Sequence, residues 1–319
     1  MSVNSESRLW FKRRSTFPII GSVLQSNLTQ NKEKQRLESK LLSRIQVKPR
    51  SNTGTGMKFT DSHCHLDFPE LSVNLADLIS QCTADNIHQI IIPSVSPSNW
   101  QQVLNLAKQH SHENCRLFAG LGIHPWYLSK LTNKDLDKLE IAVKDQTQDI
   151  IAIGETGIDG KIAEQENNLT KQLAFFEYHL QLAKSVNKPI IIHHRKSHQH
   201  IVPLLKKITV EKTGIIHAFS GSYQQAKAYL DLGYKLGIGG TITYPRAEKT
   251  IKTVKKLPLD AMVLETDAPA MPLYGYQGQT NSPIRLLGVF NTLCQLRSET
   301  PEVIAEQIEL NNQTIFFNN

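Results

Sequence analysis

Four cysteines in 319 residues, Cys64, Cys82, Cys115 and Cys294, form no close pair and no Cys-x-x-Cys. That argues against a disulfide framework and a zinc knuckle, and a reducing, cytoplasmic setting is expected. No apolar run approaches the roughly 20 residues of a membrane-spanning helix. The longest near the start, Phe17 to Leu24, is broken by Pro18 and Gly21. It follows Lys12-Arg13-Arg14, so a targeting segment is the lesser reading beside a basic tail or an upstream start, since Met57 directly precedes the first motif. A broad basic field is also missing. The net charge is +7, but residues 1–57 hold 11 Lys+Arg against 3 Asp+Glu, leaving 25 against 26 in the rest. The body is close to neutral, so a grip on an anionic polymer must come from a few placed cations or from metal.

What is present, from Met57 onward, is an alternation of short apolar runs and longer amphipathic segments. This pattern predicts repeated β-α units around a parallel sheet. Strands are expected at Lys58 to Ser62, Gln89 to Ser94, Arg116 to Gly122, Ile150 to Glu155, Pro189 to His193, Gly214 to Ala218, Tyr234 to Gly239 and Ala261 to Thr266. Eight strands with intervening helices predict an α/β fold, a closed (β/α)8 TIM barrel. In the helical pattern Leu169 to Val186, Leu173, Phe176, Leu180 and Ala183 recur at helical spacing and are expected to face the barrel. Pro283 to Phe317 reads as a closing helix pair. Residues 1–56 read as a basic, disordered extension, linked through Thr53-Gly54-Thr55-Gly56 and dispensable for chemistry; residues 57–319 form the catalytic domain.

The first strand runs into Asp61-Ser62-His63-Cys64-His65-Leu66-Asp67. Side chains two apart on an extended chain point the same way, so His63 and His65 can reach one ion while Cys64 faces the other side. Strand four ends in Gly154-Glu155-Thr156-Gly157, strand five in His193-His194-Arg195, strand six in His217-Ala218-Phe219-Ser220-Gly221, and strand eight in Glu265-Thr266-Asp267. Each puts a ligand-type side chain where βα loops assemble active sites in this architecture. Any one alone has a structural explanation, His217 as a core histidine or Glu155 as an arginine's partner. Five together read as a metal site.

These motifs, with Gly154-Glu155-Thr156-Gly157-Ile158-Asp159 and Leu264-Glu265-Thr266-Asp267-Ala268-Pro269, resemble those of the TatD family of metal-dependent deoxyribonucleases, in order, from Met57 to the C-terminus. The resemblance implies two divalent ions, Mg, Mn or Zn. His63, His65, Glu155 and Asp267 would hold one, and Glu155, His193 and His217 the other, with Glu155 bridging. It also implies a DNA strand or end as substrate; neither a membrane nor an obligate protein partner is expected from the sequence. Two departures stand out: residues 1–56 have no counterpart, and Gly160 replaces a more usual apolar or aromatic residue.

Two ions and a water suit in-line displacement at phosphorus. Asp267 is then the candidate general base and Glu155 the bridging catalytic carboxylate. Asp61 and Glu265 share the inward parity and either orient the ligands or hydrogen-bond within the barrel. Arg195, two after His193, is a candidate phosphate clamp or a partner of a ligand carboxylate, and His194 is expected behind the strand. His124 is the candidate substrate contact, and Trp126 either a stacking platform or rim packing. Lys196, His198, Arg246, Lys249 and Lys252 are weaker candidates for tracking phosphates, and the loop 271–283 is expected to wall the site.

A binuclear amidohydrolase acting on an ester, amide or lactone is the alternative. The missing candidate for a carboxylated lysine between Glu155 and His193 weakens it. A non-catalytic, metal-dependent binding scaffold is the third reading, disfavoured because every expected ligand is present.

Overall fold

The computed structural model describes residues 56–318; apart from Gly56, the expectations for the N-terminal extension fall outside the described residues. The strands are rich in consecutive isoleucines, such as Ile90 to Ile92 and Ile190 to Ile192, and all six are fully buried. Such runs suit parallel strands covered on both faces. The eight strands are β1 (Phe59–Asp61), β2 (Ile87–Pro93), β3 (Arg116–Leu121), β4 (Ile150–Asp159), β5 (Ile190–Arg195), β6 (Gly214–His217), β7 (Lys235–Ile238) and β8 (Met262–Leu264). They pair in parallel in sequence order from β1 to β8. The seam between last and first strands is bridged where Ser62 N–H donates to Leu264 O, Asp267 N–H to His63 O and His65 N–H to Ala268 O. The fold is a TIM barrel, as expected.

The helices are α1 (Pro69–Ser72), α2 (Leu75–Ala84), α3 (Trp100–Gln109), α4 (Asn133–Asp145), α5 (Gly160–Glu166), α6 (Leu169–Ser185), α7 (His198–Lys207), α8 (Tyr223–Leu230), α9 (Glu248–Val254), α10 (Leu286–Leu296) and α11 (Pro301–Asn312). Two details depart from the sequence reading. Strand β4 continues four residues past Glu155, to Asp159, because β5 also runs on to Arg195 and pairs with it. In α6 the buried stripe includes Gln172, Phe175 and His179, whereas Leu173 is only partly buried. Gln172 and His179 are buried because each bonds backbone at a strand end: Asp159 N–H donates to Gln172 Oε1, and Ile123 N–H to His179 Nε2.

One apolar cluster fills the space between strands and helices. A smaller one, Ile91, Ala152, Ile191, Ile215 and Val263, packs with Ile315 and Phe316 from the turn after α11. The strands contribute alternate, inward-facing residues, so the chain's last turn completes the barrel interior. No described helix is long and apolar enough to cross a membrane.

Candidate metal centre

Beyond β1 the chain stays extended, held on both sides by the seam bonds and by Cys64 N–H donating to Ile91 O. His63 and His65 therefore project together, their Nε2 atoms 3.2 Å apart, while Cys64 turns away with Sγ 3.8 Å from Ala268 O. Glu155 sits at a register shift in β4. Gly157, at φ 137°, lets β4 approach β5, since a Cβ there would collide with His193 O. Asp267 has φ 53°, a conformation aspartate adopts more readily than most residues.

Glu155 faces five imidazoles, divided between its oxygens. Oε2 lies 3.2 Å from His63 Nε2 and 3.5 Å from His65 Nε2. Oε1 lies 2.9 Å from His193 Nδ1, 3.2 Å from His124 Nε2 and 3.9 Å from His217 Nε2. Asp267 Oδ1 is 3.8, 3.7 and 3.7 Å from Nε2 of His63, His65 and His217. The six predicted ligands thus form one cluster, and each is at least 98 % buried. Burial and His217 push His63 down to about 4, so its ring is neutral and ligand-competent. Burial alone would raise Glu155, but His124, His63 and His217 bring it well below the usual carboxylate range.

The donor set fits a divalent cation. Ligands held about 2.0–2.2 Å from a tetrahedral ion lie about 3.3–3.6 Å apart, close to the spacings among His63, His65 and Glu155. Among the described residues, three overlapping groups have donor atoms within 4.8 Å of one another: His63, His217 and Asp267; His63, His65 and Glu155; and His124, Glu155 and His193.

Around the ligands lies a ring of orienting groups. Asp61 accepts from His63 N–H, Thr266 N–H and Thr266 Oγ1–H, tying the first motif to the last. Glu265 Oε1 accepts from Ala218 N–H and stands 3.1 Å from His217 Nδ1. Burial pushes both carboxyls up to about 8. His193 Nε2 donates to Asp159 Oδ2 at 3.1 Å, and Trp126 Nε1–H donates to the same oxygen at 2.6 Å.

The profile of TatD related DNases matches residues 60–317. The chain belongs to this family. It is 39% identical over 259 residues to the uncharacterized metal-dependent hydrolase YjjV of Escherichia coli (strain K12), covering 81% of this chain and 98% of that protein. It is 42% identical over 252 residues to an uncharacterized metal-dependent hydrolase of Haemophilus influenzae, covering 78% and 95%. The crystal structure of YjjV, a TatD homolog, superposes with a TM-score of 0.78 at 38% identity, over 83% of this chain and 100% of that one. This TatD-family protein is accordingly a metal-dependent hydrolase.

Other sequence candidates are distributed around the centre. His124, expected at the substrate, is fully buried beside Glu155 and His193. Arg195 is 26% exposed, with its guanidinium 3.5 Å from Asp159 Oδ2. His194 lies behind β5, stacked against Phe219. Trp126 is buried, its indole committed to Asp159, so it packs rather than offering an open stacking face. Arg246 lies over Tyr244, and Lys252 pairs with Glu248. In the loop 271–283, Asn281 Nδ2–H donates to Thr266 O and Met271 O, fastening it beside the site.

Asp159 was missed as a functional residue. Its signal was parity: it lies four residues beyond Glu155 on one strand and faces the same way. The Gly160 departure also has a local cause, since a Cβ there would collide with Lys196 O.

Proposed function

We propose that this TatD-family hydrolase cleaves phosphodiester bonds, with a DNA strand or end as substrate. Two divalent ions would be held by His63, His65, Glu155 and Asp267 on one side and by Glu155, His193 and His217 on the other. The observation that carries the reading is the division of Glu155: Oε2 faces His63 and His65, while Oε1 faces His193, His124 and, farther off, His217. One carboxylate shared in this way suits a bridging ligand.

When bound, such ions supply an acidified water and positive charge opposite the attacking and leaving oxygens of an in-line displacement. Asp267 takes the proton of the attacking water, its carboxylate standing at the edge shared by His63, His65 and His217. Arg195 uses one N–H toward Asp159 and, having five such donors, turns others to a substrate phosphate from its partly exposed position. His124 is the second candidate for a substrate contact, buried beside Glu155 and His193. Burial of Glu155, Asp267 and the histidines around them keeps bulk water from competing at the centre.

The test is hydrolysis of single- and double-stranded oligonucleotides beside a panel of carboxylic esters, lactones and amides, with Mg²⁺, Mn²⁺ or Zn²⁺ and with chelator. Metal-dependent oligonucleotide cleavage is expected. Turnover of an ester, lactone or amide with none of the oligonucleotides would replace this reading with the amidohydrolase one.

A further inference from the structure

His124 and His193 stand with Nε2 and Nδ1 only 3.1 Å apart, both beside Glu155 Oε1. By position alone either ring could be a ligand. Their other nitrogens separate them. His124 Nδ1 accepts from Trp126 backbone N–H at 3.1 Å, so it carries no proton. A neutral imidazole has one N–H, and that of His124 is therefore at Nε2, directed at the centre. His193 is turned the other way. Its Nε2–H is committed to Asp159, which leaves Nδ1 as the nitrogen that can meet a cation.

The acceptor that orients His193 is held from several sides. Asp159 Oδ2 receives the Trp126 indole N–H at 2.6 Å, and Oδ1 receives the backbone N–H groups of Lys161 and Ile162 at the start of α5. Its own N–H is bonded to Gln172. With N–H donors on both of its oxygens, the carboxylate can only accept.

We infer that Trp126, through its backbone N–H and its indole N–H, orients two neighbouring histidines to opposite uses: His124 as an N–H donor to Glu155 Oε1 and His193 as an Nδ1 metal ligand. Trp126 and Asp159 are positioning residues in this scheme. His124 is not a ligand, because coordination through Nε2 with Nδ1 still accepting a hydrogen bond would require the ring to lose its only proton. The inference rests on the metal-centre reading and assigns the roles within it.

The experiment combines ¹⁵N-histidine NMR with metal analysis on the full-length protein. NMR is expected to show His124 protonated at Nε2 and bare at Nδ1, with or without Zn²⁺; an Nδ1–H signal for His124 overturns the inference. His124→Ala and His124→Gln should retain the wild-type number of ions, and loss of one ion in both overturns it. Trp126→Phe keeps the backbone donor but removes the indole one. It should weaken one Zn²⁺ or Mn²⁺ site about 10–100-fold while leaving the His124 signal unchanged. Should that variant not fold, Asp159→Asn carries the same test, and unchanged affinity in the folded variant counts against the scheme. A wild-type protein binding a single ion would overturn the two-ion reading, and the His124 signal would still decide the tautomer.

Discussion

A Cβ on Gly237 would occupy the place taken by Oε2 of Glu265. The bare backbone of β7 is thus the complement of a buried acid. The other oxygen of that acid stands beside His217 Nδ1, across the ring from the nitrogen that faces Glu155 and Asp267. A glycine with no side chain in the centre thereby sets the angle of one of its candidate ligands.

Gly237→Ala is expected to displace Glu265 and release His217. Overpacking of this kind costs about 1–3 kcal/mol, and loss of an orienting carboxylate about 10–100-fold in metal affinity. Thermal unfolding and equilibrium metal titration check it. Wild-type values for both would mean that Glu265 moves aside without consequence.

Removal of metal should lower stability reversibly. An ion present at about 100 times its dissociation constant stabilises by about 2.7 kcal/mol, roughly 5–10 °C in Tm for a domain of this size. A thermal scan before chelation, after it and after metal is restored measures the effect. An unchanged Tm would mean that the centre folds equally well without its cation.

Cys64→Ser should keep the full complement of ions, whereas His63→Ala or His65→Ala should lose at least one. The cysteine is buried on the opposite side of the extended segment, near Ala268 O. Equal metal loss in all three variants, by elemental analysis, would contradict the alternation of side chains along residues 63–65.

Asp267→Asn should abolish turnover far more completely than binding. Asparagine tolerates the φ of 53° at this position and keeps a coordinating oxygen, but it cannot take up the water's proton. A loss of about 10² to 10⁴ in single-turnover rate is expected, with substrate affinity and most of the metal retained. Cleavage within about threefold of wild type would remove Asp267 from the base role.

His179 offers a pH-dependent contribution away from the ligands. It is fully buried, donating through Nδ1 to Phe175 O and accepting at Nε2 from Ile123 N–H. Burial pushes it down to about 4 from an ordinary value of 6.5. Between those values the unfolded chain binds a proton that the folded one does not, so its contribution is full above pH 6.5 and is lost as pH falls to about 4. The loss amounts to at most about 3 kcal/mol. Urea unfolding of wild type and His179→Gln across this range should show a shallower decline in the variant; parallel declines would exclude His179.

The cluster of candidate ligands was legible because each member sits at a strand end, where period-two alternation and the barrel's fixed active face leave little choice. His63, His65, Glu155, His193, His217 and Asp267 needed no knowledge of side-chain partners. Trp126 and Asp159 did. An aromatic after a strand reads equally well as platform or packing, and only the bond from its indole to Asp159 decides. The end of β4 was misplaced for a related reason: Thr156-Gly157-Ile158 resembles a turn until β5 is seen to run alongside it. In α6, helical spacing alone could not show that Gln172 and His179 are drawn inward by backbone groups of other elements.

The inner apolar cluster closes only when Ile315 and Phe316 pack beneath Ile91, Ala152, Ile191, Ile215 and Val263. Phe316→Ala would therefore leave every candidate ligand in place while hollowing the interior of the barrel, at a cost of about 3–5 kcal/mol. Metal affinity and thermal stability thus become separable quantities: the first reads the strand ends, the second the apolar plug inside them.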